Sequence, residues 1–448
     1  MTNFWNELSQ PFFILAPMEA VTDVVFRHVV ARAGAPDIWF SEFTNATGWV
    51  HAGQKAIGGR LVRTEDENPI VAQIWGGEPG DMEQLATHCR ELGFHGIDIN
   101  MGCPAKSAVK SGGSALIRNP QLAAESIAAA KLAGLPVSVK TRLGYTHIDE
   151  WRDWLAHLLR QDIVNLTIHL RTKKEMSKVP AHFELIDEIV ALRDRIAPGT
   201  LLTINGDIMN RAHGEQLVRD HPGVNGVMIG RGIFHDPFAF RTDLSSHPTN
   251  HPAYQARSPH TDLAGASWLA TAGKAEPSRW KISGVLDSVP TQTSRSLTFA
   301  QETTSEEQPV SLSADTERET GVKRSLVGNV SEETTGDIPA RVASVAASDD
   351  SSELYRATSE ELTAGQNGGQ DPQSGDGSGE QKKAALLKLL HLHLDLFDTW
   401  QSDMHRPFET LKRFFKIYIR DFDGAKDLRD QLMHCTSTDD VREILARH

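Results

Sequence analysis

Ile97-Asp98-Ile99-Asn100-Met101-Gly102-Cys103-Pro104 decides how this chain folds. Ile97 and Ile99 mark a short buried strand, and Gly102 and Pro104 stop it, because neither residue can continue a strand interior. The break leaves an amide, Asn100, and a thiol, Cys103, at a strand end. Strand ends are where barrels and open sheets keep their chemistry.

Working outward, strand-like runs recur at residues 12–16, 38–42, 70–75, 96–100, 137–140, 166–169, 201–205 and 226–230. Helical patterns lie between most of them, at 22–33, 80–92, 120–133, 150–160, 181–195 and 210–219. Strands alternating with helices pair in parallel through right-handed crossovers. Eight such units predict a (β/α)8 TIM barrel. A doubly wound sheet is the competitor, but no glycine-rich dinucleotide fingerprint follows the first strand.

The barrel reading makes each strand's C-terminal end a place to look. These ends carry Pro17-Met18-Glu19, Glu42, Gln73, Asn100 with Cys103, Lys140 with Arg142, His169 with Arg171, Asn205-Gly206-Asp207 and Gly230-Arg231. The strand interiors, by contrast, read as almost wholly apolar. Polar groups converging on one rim predict an active site. The last two ends match the loops where barrels hold phosphate, with small residues, the charge of Arg231 and a helix N-terminus to follow.

Cys103 sits between Gly102 and Pro104, with Lys106 and Lys110 after it. An unperturbed thiol is mostly protonated at neutral pH, so it can donate a proton as it stands, or attack as a thiolate if a cation lowers its pKa. Lys140 can form a Schiff base if desolvated, or stabilise an anion if it stays charged. Arg142, two residues on and on the same strand face, favours the anionic neighbour. Cys89 and Cys435 read as inert buried thiols. His391 and His393, in a Leu-rich helical run, read as structural, and no metal site is expected.

The 448 residues are 39% hydrophobic and carry a net charge of −13. The acidity is local: residues 242–380 hold 10 basic and 21 acidic side chains, against 36 and 38 in the rest. That segment, with runs such as QETTSEEQPVSLSADTERET, has the composition of a disordered insert. Three cysteines without a C-x-x-C pair give no disulfide framework. The chain shows no secretory signal and no membrane-spanning run, so a cytoplasmic location and a monomer are expected. Residues 1–241 are thus read as the barrel, 242–380 as the insert and 381–448 as a bundle of three or four short helices. Leu386, Leu387, Leu390, Leu394 and Phe397 share one face there, and Leu411, Phe414, Phe415, Tyr418, Ile419 and Phe422 another. Lys412, Arg413, Lys416 and Arg420 form a basic stripe, which by itself reads as a solvated helix side and becomes a phosphate contact only if the barrel acts on RNA.

Taken in order, Ala16-Pro17-Met18-Glu19-Ala20-Val21-Thr22-Asp23, Gln73, Asp98 to Pro104, Val139-Lys140-Thr141-Arg142-Leu143-Gly144, Asn205-Gly206-Asp207 and Gly226 to Gly232 resemble the tRNA-dihydrouridine synthases. That resemblance implies an FMN-binding barrel followed by a helical tRNA-binding domain, with NADPH as reductant. It implies that Pro17, Met18 and Glu19 border the flavin and that Gln73 and Lys140 contact its ring. His169, Asn205, Gly206, Asp207, Gly230 and Arg231 would hold its ribityl chain and phosphate. Cys103 would be the general acid, with Asn100 and Arg142 on the substrate side. Lys412, Arg413, Lys416 and Arg420 would be tRNA contacts. The run after His169, from Leu170 to Met176, follows the family only in part, and the acidic insert is not in its pattern. Three other readings stay open: a Schiff-base barrel on Lys140, a flavin barrel acting on a free pyrimidine, and a non-catalytic RNA-binding protein.

Overall fold

The structure is a computed structural model that describes residues 3–53, 57–105, 108–109, 112–242 and 377–448. The expected insert lies almost wholly outside these residues, as do Lys106 and Lys110.

Nine parallel strands make one sheet: β1 (Phe12–Leu15), β2 (Trp39–Phe40), β3 (Thr44–Asn45), β4 (Ile70–Trp75), β5 (Gly96–Asn100), β6 (Val137–Arg142), β7 (Asn165–His169), β8 (Leu201–Asn205) and β9 (Gly226–Ile229). Neighbours run β1-β9-β8-β7-β6-β5-β4-β2, and β3 also pairs with β4. A parallel bridge between Ile14 and Ile38 links β1 towards β2, so the sheet curls into a barrel. This is the (β/α)8 barrel the alternation implies, and β2 and β3 together form its second stave. Helices cover the outside. Their starts follow the capping residues: the side chains of Asp23, Asn119 and Asn210 accept backbone N–H groups from Phe26, Leu122 and His213.

The lumen departs from its expected apolar filling. Trp5, Phe12, Ile14, Ile38, Phe40, Val71 and Met228 form an apolar cluster on the β1, β2, β4 and β9 side. The β5–β8 side carries Asp98, Ser138, Asn165, Thr167 and Thr203, each fully buried. They are tolerated because they satisfy one another. Thr203 Oγ1 donates to Asn165 Oδ1 at 2.8 Å, and Asn165 Nδ2 to Thr167 Oγ1 at 3.1 Å. Each sits on an apolar stretch whose alternate positions face the helices, and that is how a buried polar face hides in a strand.

Beyond the barrel, the expected first short helix is a single 28-residue helix, Gly377–Met404. Leu386, Leu390, Leu394, Phe397, Trp400 and Met404 prolong one buried face along it. A 3-10 turn (Phe408–Phe414), a single turn (Phe415–Tyr418) and two helices, Ala425–Met433 and Thr438–Leu445, follow. Phe26 of the barrel's first helix packs on Phe414 at 4.9 Å between ring centroids, and His393 Nδ1 lies 2.8 Å from the Tyr418 hydroxyl. The outer core therefore runs without a break from barrel to C-terminal helices.

Candidate active site

Register sets the rim. Gln73 lies level with Asp98, Asp98 with Ser138, Asn100 with Lys140, Arg142 with His169, and His169 with Asn205. On the β4–β6 side these residues form a directional chain. Ser138 Oγ donates to Asp98 Oδ1 at 2.6 Å, and Gln73 Nε2 donates to Asp98 Oδ2 at 2.7 Å. Burial pushes the Asp98 carboxyl up to about 6, while the Ser138 and Gln73 hydrogen bonds favour its charged form. With its amide so oriented, Gln73 Oε1 accepts from Asn100 Nδ2 at 2.9 Å. Asn100 Oδ1 then accepts the backbone N–H groups of Gly102 at 3.0 Å and Cys103 at 2.9 Å. The chain ends by fixing the loop that carries the thiol.

Cys103 is half-buried, and burial pushes its thiol above the usual range, against the weaker opposing pull of Arg142 and Lys140. A protonated thiol can donate a proton, which is one of the two roles open to it. Lys140 is lowered to about 8 by burial and by Arg142. Among the described residues its ammonium has no hydrogen-bond partner. Arg142 turns inward instead: its Nε donates to Gly102 O at 2.8 Å and its Nη1 to Thr172 O and Met176 O at 3.2 and 3.1 Å. It therefore braces the Cys103 loop.

On the β7–β9 side, Arg171 is 2% exposed and joins two expected residues. Its Nη1 donates to His169 Nε2 at 3.1 Å, so that ring is neutral with its proton on Nδ1. Burial and then Arg142, Lys140, Arg171 and Arg231 hold His169 well below the usual imidazole range. Arg171 Nη2 also pairs with Asp207 Oδ2, while Arg231 Nη2 reaches Asp207 Oδ1 at 3.1 Å. Asp207 itself has φ +50°, held in place as Ala181 N donates to its carboxylate at 2.9 Å. Asn205 Nδ2 donates to Met228 O at 2.8 Å, which ties β8 to β9. The expected helix after Arg231 is one turn, Gly232–His235, and its Ile233 and Phe234 N–H groups bond back to Gly230 and Arg231. The guanidinium groups of Arg171 and Arg231 stand beside this short turn, around Asp207.

The donor set suits a large anion such as FMN. Lys140, Arg142, Arg171 and Arg231 crowd one mouth and Asp207 answers two of them. A Cβ on Gly230 would meet only Ala16 Cβ, at 3.5 Å, so the protein's own packing does not fill that space. On the β1 side Met18 is half-buried and Glu19 exposed, with Arg60 Nη2 donating to Glu19 at 3.0 Å.

The basic stripe is not an open face. Arg413 Nη1 donates to Ala20 O at 3.0 Å, and Arg420 Nη1 to Phe234 O and His235 O at 3.0 and 2.8 Å. Lys412 lies over the Phe408 ring and Lys416 is half-buried. Cys89 and Cys435 are free, buried thiols, as expected.

The dihydrouridine synthase (Dus) family pattern matches residues 14–265. The chain belongs to the dihydrouridine synthase family. It is 41% identical over 445 residues to a probable tRNA-dihydrouridine synthase 2 of Bacillus subtilis (strain 168), covering 99% of this chain and 95% of that protein. It is 40% identical to a probable tRNA-dihydrouridine synthase of Staphylococcus aureus (strain Mu50), covering 99% and 94%. Among solved structures, a 2-naphthoyl-CoA reductase complex shares 10% identity at a TM-score of 0.38, over 51% of this chain and 49% of that one, and adds nothing to the fold read above. Membership makes the chain an oxidoreductase of this family.

Sequence reasoning gave no role to Asp98 and Ser138, although both share a strand face with Asn100 and Lys140 two residues on. It also gave none to Arg406, whose Nη2 donates to both Glu42 oxygens, at 2.9 and 2.8 Å. No local signal marks that arginine, since its partner lies 364 residues away.

Proposed function

We propose that this dihydrouridine synthase reduces the 5,6 double bond of a uridine within tRNA, with FMN as cofactor and a nicotinamide, NADPH, as reductant. Lys140, His169, Arg171, Asp207 and Arg231 would hold FMN, with Pro17 to Glu19 at its border, and the bound reduced flavin would supply hydride chemistry at C6. Cys103 supplies the proton to C5, so that H₂ is added across the bond. The resulting thiolate is stabilised by Lys140 and Arg142 and regains its proton from water. Asn100 holds the thiol in place for this transfer. The base leaves the folded tRNA to reach the mouth, and the C-terminal helices contact the RNA backbone. Residues 242–380 join these two parts as an acidic linker.

The observation that carries this reading is the half-buried Cys103 thiol, its loop held by Asn100, on one rim with Lys140 and the Arg171–Asp207–Arg231 cluster. Full-length protein should carry a visible flavin spectrum. Cys103→Ala should keep the flavin and lose dihydrouridine formation on tRNA from a strain lacking the enzyme. A parent chain that never binds FMN, or a fully active Cys103→Ala, refutes it. The low Lys140 value also favours a Schiff-base reading, which borohydride trapping of a carbonyl substrate on Lys140 would reveal.

A further inference from the structure

The loop after β1 is held from both sides by distant parts of the chain. Ala20, at its tip, has φ +55°, a left-handed conformation that a side chain adopts only when its surroundings impose it. Its N–H donates to the Glu42 carboxylate, which is wholly buried, and its carbonyl accepts from Arg413 Nη1 at 3.0 Å. Arg406 Nη2 in turn grips both oxygens of Glu42. A third link runs beside these. The Gly59 backbone lies so close to Met404 O, at the end of the long helix, that no side chain fits between them, and the next residue, Arg60, pairs with Glu19. The same loop reaches the reaction centre, because Ala16 lies beside Gly230 and the Glu19 charge acts on the Cys103 thiol.

We infer that Arg406 and Arg413 of the C-terminal helices are positioning residues for the flavin site, acting through Glu42 and Ala20 to set the loop that borders the cofactor. The C-terminal helices therefore complete the cofactor site as well as meeting RNA. This rests on the flavin reading above. Among the described residues Arg406 is the cation that meets Glu42, so its loss leaves a buried carboxylate with one backbone donor.

The test compares the full-length parent with Arg406→Met, Arg413→Met and the double variant Glu42→Gln/Arg406→Met. Two quantities are measured: FMN dissociation constants by flavin fluorescence, and hydrogen exchange of residues 17–21 in cofactor-free protein. Arg406→Met and Arg413→Met are expected to weaken FMN binding by about tenfold each, the scale of one lost charge-assisted hydrogen bond. Both should also speed exchange at Ala20. The double variant, with a neutral amide still accepting from Ala20 N–H, should recover most of the affinity. Were Arg406→Met not to fold, Arg413→Met and the double variant would still decide. Parent-like FMN affinity in both of these, or a loosened loop without any loss of affinity, overturns the inference. A parent that binds no FMN overturns the flavin reading instead.

Discussion

Asn100→Asp keeps the shape of the side chain and both of its acceptor roles, yet it should cripple the enzyme in a pH-dependent way. Asn100 Nδ2 donates to Gln73 Oε1 at 2.9 Å, and Gln73 cannot turn its amide, because Asp98 holds the Nε2 end at 2.7 Å. A carboxylate at position 100 would therefore face a carbonyl oxygen inside the barrel unless it holds a proton. Asp98, one register step below and also aided by two donors, sits at about 6. With a similar value, keeping the new carboxyl protonated at pH 8 costs about 2.7 kcal/mol, two pKa units at 1.36 kcal/mol each, and nothing at pH 5. A folded carboxyl pKa raised above its unfolded value means that stability is lost as pH rises through that window. Turnover at pH 8 should fall roughly a hundredfold. It should recover towards the parent near pH 5.5, with FMN affinity little changed because the phosphate end lies on β7–β9. The assay is kcat for dihydrouridine formation on a tRNA transcript across pH, with flavin content measured in parallel. Equal losses at pH 5.5 and pH 8, or none at either, would refute the directional chain.

Because burial raises the Cys103 thiol, iodoacetamide should alkylate it more slowly at pH 7.5 than a free thiol, and turnover should persist to pH 8 or above; an activity midpoint below about 8 contradicts this. His393 is lowered to about 3 by burial, so the stability it carries is present above pH 6.5 and lost as pH falls. His393→Phe should flatten the loss of unfolding free energy below pH 6.5 by about 1.4 kcal/mol per pH unit, read by urea titrations. Lys140 at about 8 implies that its charged form is disfavoured in the fold. Lys140→Met should raise the stability of cofactor-free protein by up to about 3 kcal/mol while weakening FMN binding, and a less stable variant would show that the cation has a structural partner.

The barrel was legible because its strands are buried on both faces and end in small or polar residues, as at Asn100 and Gly230. The rim was legible for the same reason. Three things were not. The polar lumen is hidden because Asp98 and Ser138 sit one at a time between apolar neighbours, as surface alternation does too. The inward turn of Arg142 depends on the carbonyls of Thr172 and Met176, which a different loop brings in. The length of the Gly377–Met404 helix depends on the barrel helix it packs against, so a periodicity that seemed to end near Phe397 continues through Trp400 and Met404.

The two halves of the lumen explain why the site is placed where it is. An apolar wedge under β1, β2, β4 and β9 gives the loop after β1 a firm floor, but by itself offers nothing to orient a charged or proton-donating group. Hydrogen bonds do orient, and the β5–β8 half is built from them, so the residues that must point accurately (Cys103, His169, Arg171) all rise from that half. The cost is a barrel holding one carboxyl near 6 and one amine near 8, each with its charged form disfavoured by burial relative to water. Replacing such groups with apolar ones commonly stabilises a fold. A sequence that retains them on one side only, directly beneath a thiol, has kept geometry in preference to stability.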